Sequence, residues 1–101
     1  MIIYNVTNKV DHSIHEDWLL WMKEIHIPEV MNTGCFSRFQ FVRLLDTDES
    51  DGFTYATQYF AVSMEDYTRY LGQFANQLRE KATIQWGNHF IAFRSLMELV
   101  Y

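Results

Sequence analysis

The sequence predicts an α+β fold of the ferredoxin-like type, with the element order β-α-β-β-α-β. Segments that alternate like strands stand at both ends of the chain and as a pair in its middle. A segment with helical periodicity follows the first strand, and another follows the third. Right-handed crossovers then place both helices on one face of a four-stranded antiparallel sheet.

The composition indicates one domain and excludes several classes of function. At 101 residues the chain has room for a single core, so residues 1–101 are taken as one ferredoxin-like domain. The net charge of -5, with Lys and Arg scattered singly, offers no basic stripe for nucleic acid or an anionic membrane. No apolar run approaches the ~20 residues that a membrane span requires.

The only cysteine, Cys35, cannot form an internal disulfide, and the chain opens on the strand-like "MIIYNVTNKV" without a basic leader. We therefore expect a cytoplasmic protein. No cation adjoins Cys35 in sequence to activate it, so it is interpreted as a small buried residue beside Gly34.

The first half of the chain predicts a strand followed by a helix. Residues 2–10 alternate, with an apolar face made of Ile2, Tyr4, Val6 and Val10. Ser13 and Glu16 form a capping-box pattern, which predicts a helix that begins near Ile14. The residues Asn32-Thr33-Gly34 are typical of a helix end, because glycine adopts the left-handed cap conformation.

The second half predicts a hairpin, a second helix and a last strand. Residues 36–45 and 53–62 are rich in aromatic and β-branched residues, and "DTDESDG" between them favours a hairpin connection. Ser63 followed by Asp66 predicts the cap of the second helix. The segment "ATIQWG" predicts a short turn or an extra helical turn that closes at Gly87, and "HFIAFRSLMELVY" predicts the final strand.

Both faces of the last strand are apolar, which predicts a dimer. One parity holds Ile91, Phe93, Met97 and Leu99, and the other holds Phe90, Ala92, Leu96 and Val100. Such strands are typical of a sheet that is covered on both faces. Because two helices cover only one face, we expect a homodimer that forms through the open face of the sheet.

Essentially the whole chain, from "MIIYNVTNKVDHSIHEDWLLWMKEIHIPEVMNTGCF" through "YATQYF" to "FIAFRSLMELV", resembles the bacterial domain-of-unknown-function family 4286, which brings no known activity. The pattern His26-x-Pro28 is similar to that of EthD-like and antibiotic-biosynthesis-monooxygenase-like members of the dimeric α+β barrel superfamily. That resemblance implies two protomers joined sheet to sheet, each with a ligand cavity between sheet and helices. Its members include cofactor-free oxygenases, isomerases, cyclases and haem proteins, so it does not select one function.

His26 and Glu29 are the candidate catalytic residues. They are three residues apart, so helical geometry across Pro28 would bring them within reach of each other as a base and its orienting partner. Pro28 also removes a helical hydrogen bond and kinks the chain, which aims His26 at the cavity. In the alternative interpretation, His26 caps the helix C-terminus, where the macrodipole favours an imidazolium.

Tyr59, Arg94 and Trp21 are the candidate ligand-binding residues. Strand aromatics such as Tyr59 suit a flat ligand, and either Arg94 or Arg43 suits an anionic group on it. In the alternative interpretation, the aromatic residues, Trp21 included, belong only to the core and the interface.

No cofactor or metal is expected. His12, His15, Glu16 and Asp11 would supply ligands at the helix start, but His26 lies about 16 Å farther along the helix, so the histidines do not converge. "DTDESDG" lacks the glycine and the bidentate glutamate of a calcium loop.

The sequence alone leaves three hypotheses for the function of this protein. The leading hypothesis is a homodimer that binds a small hydrophobic or aromatic molecule. The second is a cofactor-independent oxygenase or isomerase that uses His26 as its base. The third is a structural or interaction module whose interior its own aromatic residues fill.

Overall fold

The computed structural model describes residues 1–101 and has the predicted element order. Its sheet contains four strands: β1 (Ile2–Asp11), β2 (Arg38–Arg43), β3 (Gly52–Ala61) and β4 (Phe90–Glu98). All pairings are antiparallel, and the strand order is β2-β3-β1-β4. Helix α1 covers residues 15–31 and helix α2 covers residues 64–86. The ferredoxin-like fold class is thereby confirmed.

Helix α1 contains a widened turn immediately before its proline. Its α-helical segments His15–Trp21 and Ile27–Met31 flank a π-helical segment, Met22–His26. In this segment the N–H of Ile27 donates to the carbonyl of Met22, five residues back. Pro28 has no N–H and would clash with a carbonyl in a regular α-helix, so the wider turn accommodates it.

The predicted start of α1 near Ile14 is correct to within one residue and its predicted end is confirmed, but the predicted Ser13 cap is wrong. Ser13 makes no capping hydrogen bond, and the chain instead enters the helix through a 3-10 turn, His12–Ile14. At the other end Gly34 adopts a φ of 74° and its N–H donates to the carbonyl of Met31 over 3.1 Å.

Helix α2 begins and ends as predicted. The Ser63 hydroxyl accepts a hydrogen bond from the backbone N–H of Asp66 over 3.3 Å. The helix runs through α-helical Met64–Tyr70, π-helical Leu71–Ala75 and α-helical Asn76–Trp86. It closes at Gly87, whose φ is 60°, so "ATIQWG" forms the predicted extra helical turn.

The core lies between the sheet and the two helices. Tyr4 of β1 pairs in register with Tyr59 of β3, and both rings face α1 and α2 with exposures of 3% and 2%. Trp18 and Val30 of α1 are fully buried in the same cluster. Cys35 is buried there as well, as the sequence predicted.

The opposite face of the sheet has an exposed apolar patch on β4. Ile91 and Phe93 are 56% and 63% exposed, and Met97 is partly exposed beside them. On the strands β2 and β3, by contrast, the Arg38 guanidinium covers the ring of Phe60, with its Cζ 3.7 Å from the ring centroid. No helix of the protein combines the length and the hydrophobicity that crossing a membrane requires.

Candidate ligand-binding site

A cavity of about 280 Å³ lies between the sheet and the helices. Its sheet wall consists of Tyr4, Val6, Asn8, Tyr59, Phe90, Ala92 and Arg94. Its helix wall consists of Trp18, Trp21, Met22, His26, Tyr70, Leu78, Arg79, Ala82 and Thr83. Thr83 and Arg94 are exposed, so the cavity meets solvent where α2 passes β4. The interior is therefore not packed solid by its own aromatic residues.

His26 lies in the π-helical segment of α1 and lines this cavity. Its ring stacks on Trp21, with centroids 4.8 Å apart and planes at 20°. Burial lowers the pKa of His26 to about 4. The negative charge of Glu29 raises this pKa, and the positive charge of Arg94 lowers it by a smaller amount. The imidazole is therefore neutral at pH 7. Because α1 continues to Met31, His26 does not cap the helix end.

Glu29 acts on His26 through its charge and not through a hydrogen bond. Its carboxylate accepts a hydrogen bond from the Lys81 ammonium over 2.8 Å. With Lys81 it lines a separate surface depression between α1 and α2, outside the cavity. The structure therefore does not place Glu29 as the orienting partner of the imidazole.

Two arginines converge on the hydroxyl of Tyr4 inside the cavity. Arg79 of α2 donates to this oxygen through Nη2 over 3.0 Å, and Arg94 of β4 donates through Nε over 3.2 Å. Neither arginine belongs to any ion pair of the structure. No Asp or Glu lines the cavity, so its polar centre is positively charged.

Tyr59 contributes a buried phenol to the same cavity. Its hydroxyl has no hydrogen-bond partner within the protein. Burial, assisted by the neighbouring hydroxyls of Tyr70 and Tyr4, raises the pKa of Tyr59 far above its ordinary range. The group is therefore a protonated phenol at pH 7, with an O–H that no acceptor in the protein uses.

The structure thus brings four of the predicted site residues into one cavity: His26, Trp21, Tyr59 and Arg94. Arg43, the predicted alternative anion contact, lies elsewhere, where it pairs with Glu49 and covers Phe53. Sequence reasoning missed Arg79. The helical stripe through Leu78 and Ala82 carries the signal, because Arg79 lies at its edge.

The histidines at the start of α1 lie away from the cavity. His12 Nε2 contacts the carbonyl of Glu49 at 2.8 Å, and His15 Nε2 contacts the Tyr55 hydroxyl at 2.6 Å. Asp11 pairs with His89 over 3.1 Å. No three His, Cys, Asp or Glu side chains come together in a geometry that would hold a metal ion.

The sequence of residues 1–100 matches the profile of a family described as a domain of unknown function, DUF4286. It matches no curated protein.

Several solved structures share the fold. A dimeric ferredoxin-like protein from an uncultured marine organism is 11% identical with a TM-score of 0.70, over 99% of this chain and 95% of that one. An EthD family protein from Bacillus halodurans is 11% identical with a TM-score of 0.69, over 98% and 100%. SnoaB, a cofactor-independent oxygenase from Streptomyces nogalater, is 11% identical with a TM-score of 0.64, over 99% and 94%.

Proposed function

The chain belongs to the DUF4286 family, whose description assigns no activity, and from its cavity we propose that it binds a small hydrophobic or aromatic molecule between the sheet and the helices. The observation that carries this proposal is the cavity itself, which aromatic side chains line and in which Tyr59 and Arg79 each keep a donor that has no partner in the protein.

The size of the cavity sets the size of the ligand. An apolar cavity of about 150 Å³ holds a benzene molecule, and this one measures about 280 Å³. A molecule with one or two fused rings fits that volume. Trp21 and Tyr59 offer it flat apolar contact, and the cavity opening beside Thr83 offers it a way in.

Filling the cavity tests the proposal. In Ala82→Leu the larger side chain occupies cavity volume, whereas in Asn76→Leu the same side chain is added to an exposed site of α2 that does not line the cavity. We expect binding of small aromatic compounds, measured by calorimetry, to be lost in Ala82→Leu and retained in Asn76→Leu. Equal binding by both variants would place the ligand elsewhere.

A second function, base catalysis by His26, is favoured by one observation: the imidazole is neutral at pH 7 and faces the cavity. We propose it as the alternative, with Glu29 acting on His26 only through its charge. The test is deuterium uptake by enolisable or phenolic compounds in D₂O. We expect uptake to rise with pH to a plateau above about pH 4 to 5 and to vanish in His26→Gln, while Arg69→Gln, at a surface ion pair, behaves like wild type.

We also propose that two copies pair through the open face of the sheet, in the cytoplasm. The exposed side chains of Ile91, Phe93 and Met97 support this pairing, because an apolar patch of this kind is typical of an interface. The fold shared with a dimeric ferredoxin-like protein is consistent with it. The single buried thiol and the lack of disulfides agree with a reducing compartment.

A further inference from the structure

The polar groups that line the cavity indicate the charge of its ligand. We infer, on the basis of the proposed function, that the cavity binds a small aromatic carboxylate, and that Arg79, Arg94 and the Tyr4 hydroxyl hold its carboxylate group.

The first support is the lack of counter-ions for the two arginines. The chain has 13 acidic residues against eight basic ones, so acidic partners are in excess. Arg43 and Arg69 pair with Glu49 and Asp66 respectively, and Arg38 lies over the ring of Phe60 instead. Arg79 and Arg94 face a cavity without a single carboxylate and pair with none. In an otherwise acidic protein, this cavity is therefore a locally positive site.

The second support is a buried donor without an acceptor. Nε of Arg79 is inaccessible to solvent and has no hydrogen-bond partner in the protein. Buried donors of charged groups are rarely left unpaired, because the desolvation cost is then not offset by any hydrogen bond. A small shift of the Arg79 side chain toward a bound anion would supply the missing acceptor. The guanidinium presents its donors in a planar fork, which suits the two oxygens of a carboxylate.

The third support is the state of the Tyr4 hydroxyl. Its oxygen accepts from Arg79 and from Arg94, so both lone pairs are used by cationic donors. Its own proton has no acceptor in the protein and is left to be donated. Tyr4 is also held by surrounding rings, among them Phe36, Tyr59 and Tyr70, at centroid distances of 5.7 to 6.2 Å. The oxygen thus holds both guanidiniums near one point and adds a neutral donor there.

The remaining walls restrict the rest of the ligand. The apolar part of the cavity lining includes Trp18, Trp21, Met22 and Leu78, which suit an aromatic ring. His26 is neutral and therefore adds no further charge for a second anionic group. A monocarboxylate with a one-ring or two-ring body matches this distribution of charge and volume.

Matched ligands test the inference. Benzoic, phenylacetic and 2-naphthoic acids are each compared with the corresponding amide, which has nearly the same shape and no charge, by calorimetry at pH 7. We expect the best acid to bind wild type at least tenfold more tightly than its amide. That preference should weaken as salt is raised and should disappear in Arg79→Gln and in Arg94→Gln. The control Arg69→Gln removes a surface arginine outside the cavity and should keep it.

Each other outcome overturns the inference, and the outcomes separate it from the proposed function. Equal binding of acids and amides would leave a ligand cavity without an anion site. If the folded wild type binds neither the acids nor the amides, both the anion site and the proposed ligand cavity are rejected. A preference that survives in both Arg79→Gln and Arg94→Gln would place the anion elsewhere. Tighter binding of 2-naphthyl phosphate than of 2-naphthoate would replace the carboxylate with a phosphate. Thermal melts show whether each variant is folded. If Arg79→Gln is unstable, the test rests on Arg94→Gln, because Arg94 is exposed.

Discussion

His26 stacks face to face on Trp21, five positions earlier in α1. In a regular α-helix such residues point about 140° apart, because each residue advances the helix by about 100°. The π-helical segment Met22–His26 reduces this offset, because its turn contains more residues, and both side chains line the cavity. The widened turn before Pro28 thus shapes the candidate site, as π-helical turns often do.

The pH dependence of stability should reveal the buried imidazole. The pKa of His26 lies at about 4, below its ordinary 6.5, so the unfolded chain takes up this proton at the higher pH. The contribution of this pKa shift to the free energy of unfolding is therefore fully present above pH 6.5 and is lost as the pH falls from 6.5 to 4. The shift corresponds to at most about 3 kcal/mol.

Urea unfolding of wild type and His26→Gln between pH 7 and pH 4 measures this loss. We expect the wild-type free energy of unfolding to fall more steeply, since the glutamine does not titrate. Parallel curves for the two proteins would contradict the depressed pKa. Titration of the His26 ring resonances by NMR provides the direct value.

The two serines of the predicted caps should differ in their importance. Ser63→Ala removes the hydrogen bond to the Asp66 N–H and should cost about 1 kcal/mol of unfolding free energy. Ser13→Ala is its matched control, because Ser13 is exposed and makes no cap hydrogen bond, so its effect should stay within about 0.5 kcal/mol. Chemical denaturation measures both, and equal losses would show that Ser13 does cap α1 in solution.

Dimerisation should depend on the apolar patch of β4. Phe93→Asp places a charge in the middle of this patch, on the edge strand β4, and should shift the protein from dimer to monomer at micromolar concentration. Leu45→Asp changes a loop residue that is even more exposed, at 76%, and should leave the dimer intact. Light scattering after gel filtration distinguishes the two masses, and a monomeric wild type would reject the pairing outright.

The unpaired hydroxyl of Tyr59 should be dispensable for folding. Tyr59→Phe deletes a buried group without a partner, so we expect unchanged or slightly increased stability, by up to about 1 kcal/mol. Binding of an aromatic ligand that accepts its proton should weaken. Tyr70→Phe is the comparison, as a second buried cavity tyrosine. A marked drop in the melting temperature of Tyr59→Phe would indicate that the hydroxyl has a structural partner.

The helices and strands of this protein follow from local patterns in its sequence. Alternation and helical stripes are local patterns, so the four strands, the two helices and the Ser63 cap follow from neighbouring residues. Pro28 likewise marked the segment where α1 widens and His26 turns to the cavity. The cap of α1 was less predictable, because a capping-box pattern competes with the 3-10 turn through which the chain leaves β1.

Which side chains contact one another depends on the packing of the helices against the sheet. Tyr4 lies 75 residues from Arg79 and 90 from Arg94 in sequence, and Glu29 lies 52 residues from Lys81. The proximity of Glu29 to His26 in sequence therefore did not predict its partner, which α2 supplies. Contacts of this kind depend on how the helices cross the sheet, and no local spacing encodes that. The elements come from short-range periodicity, and the charge of the cavity comes from long-range packing.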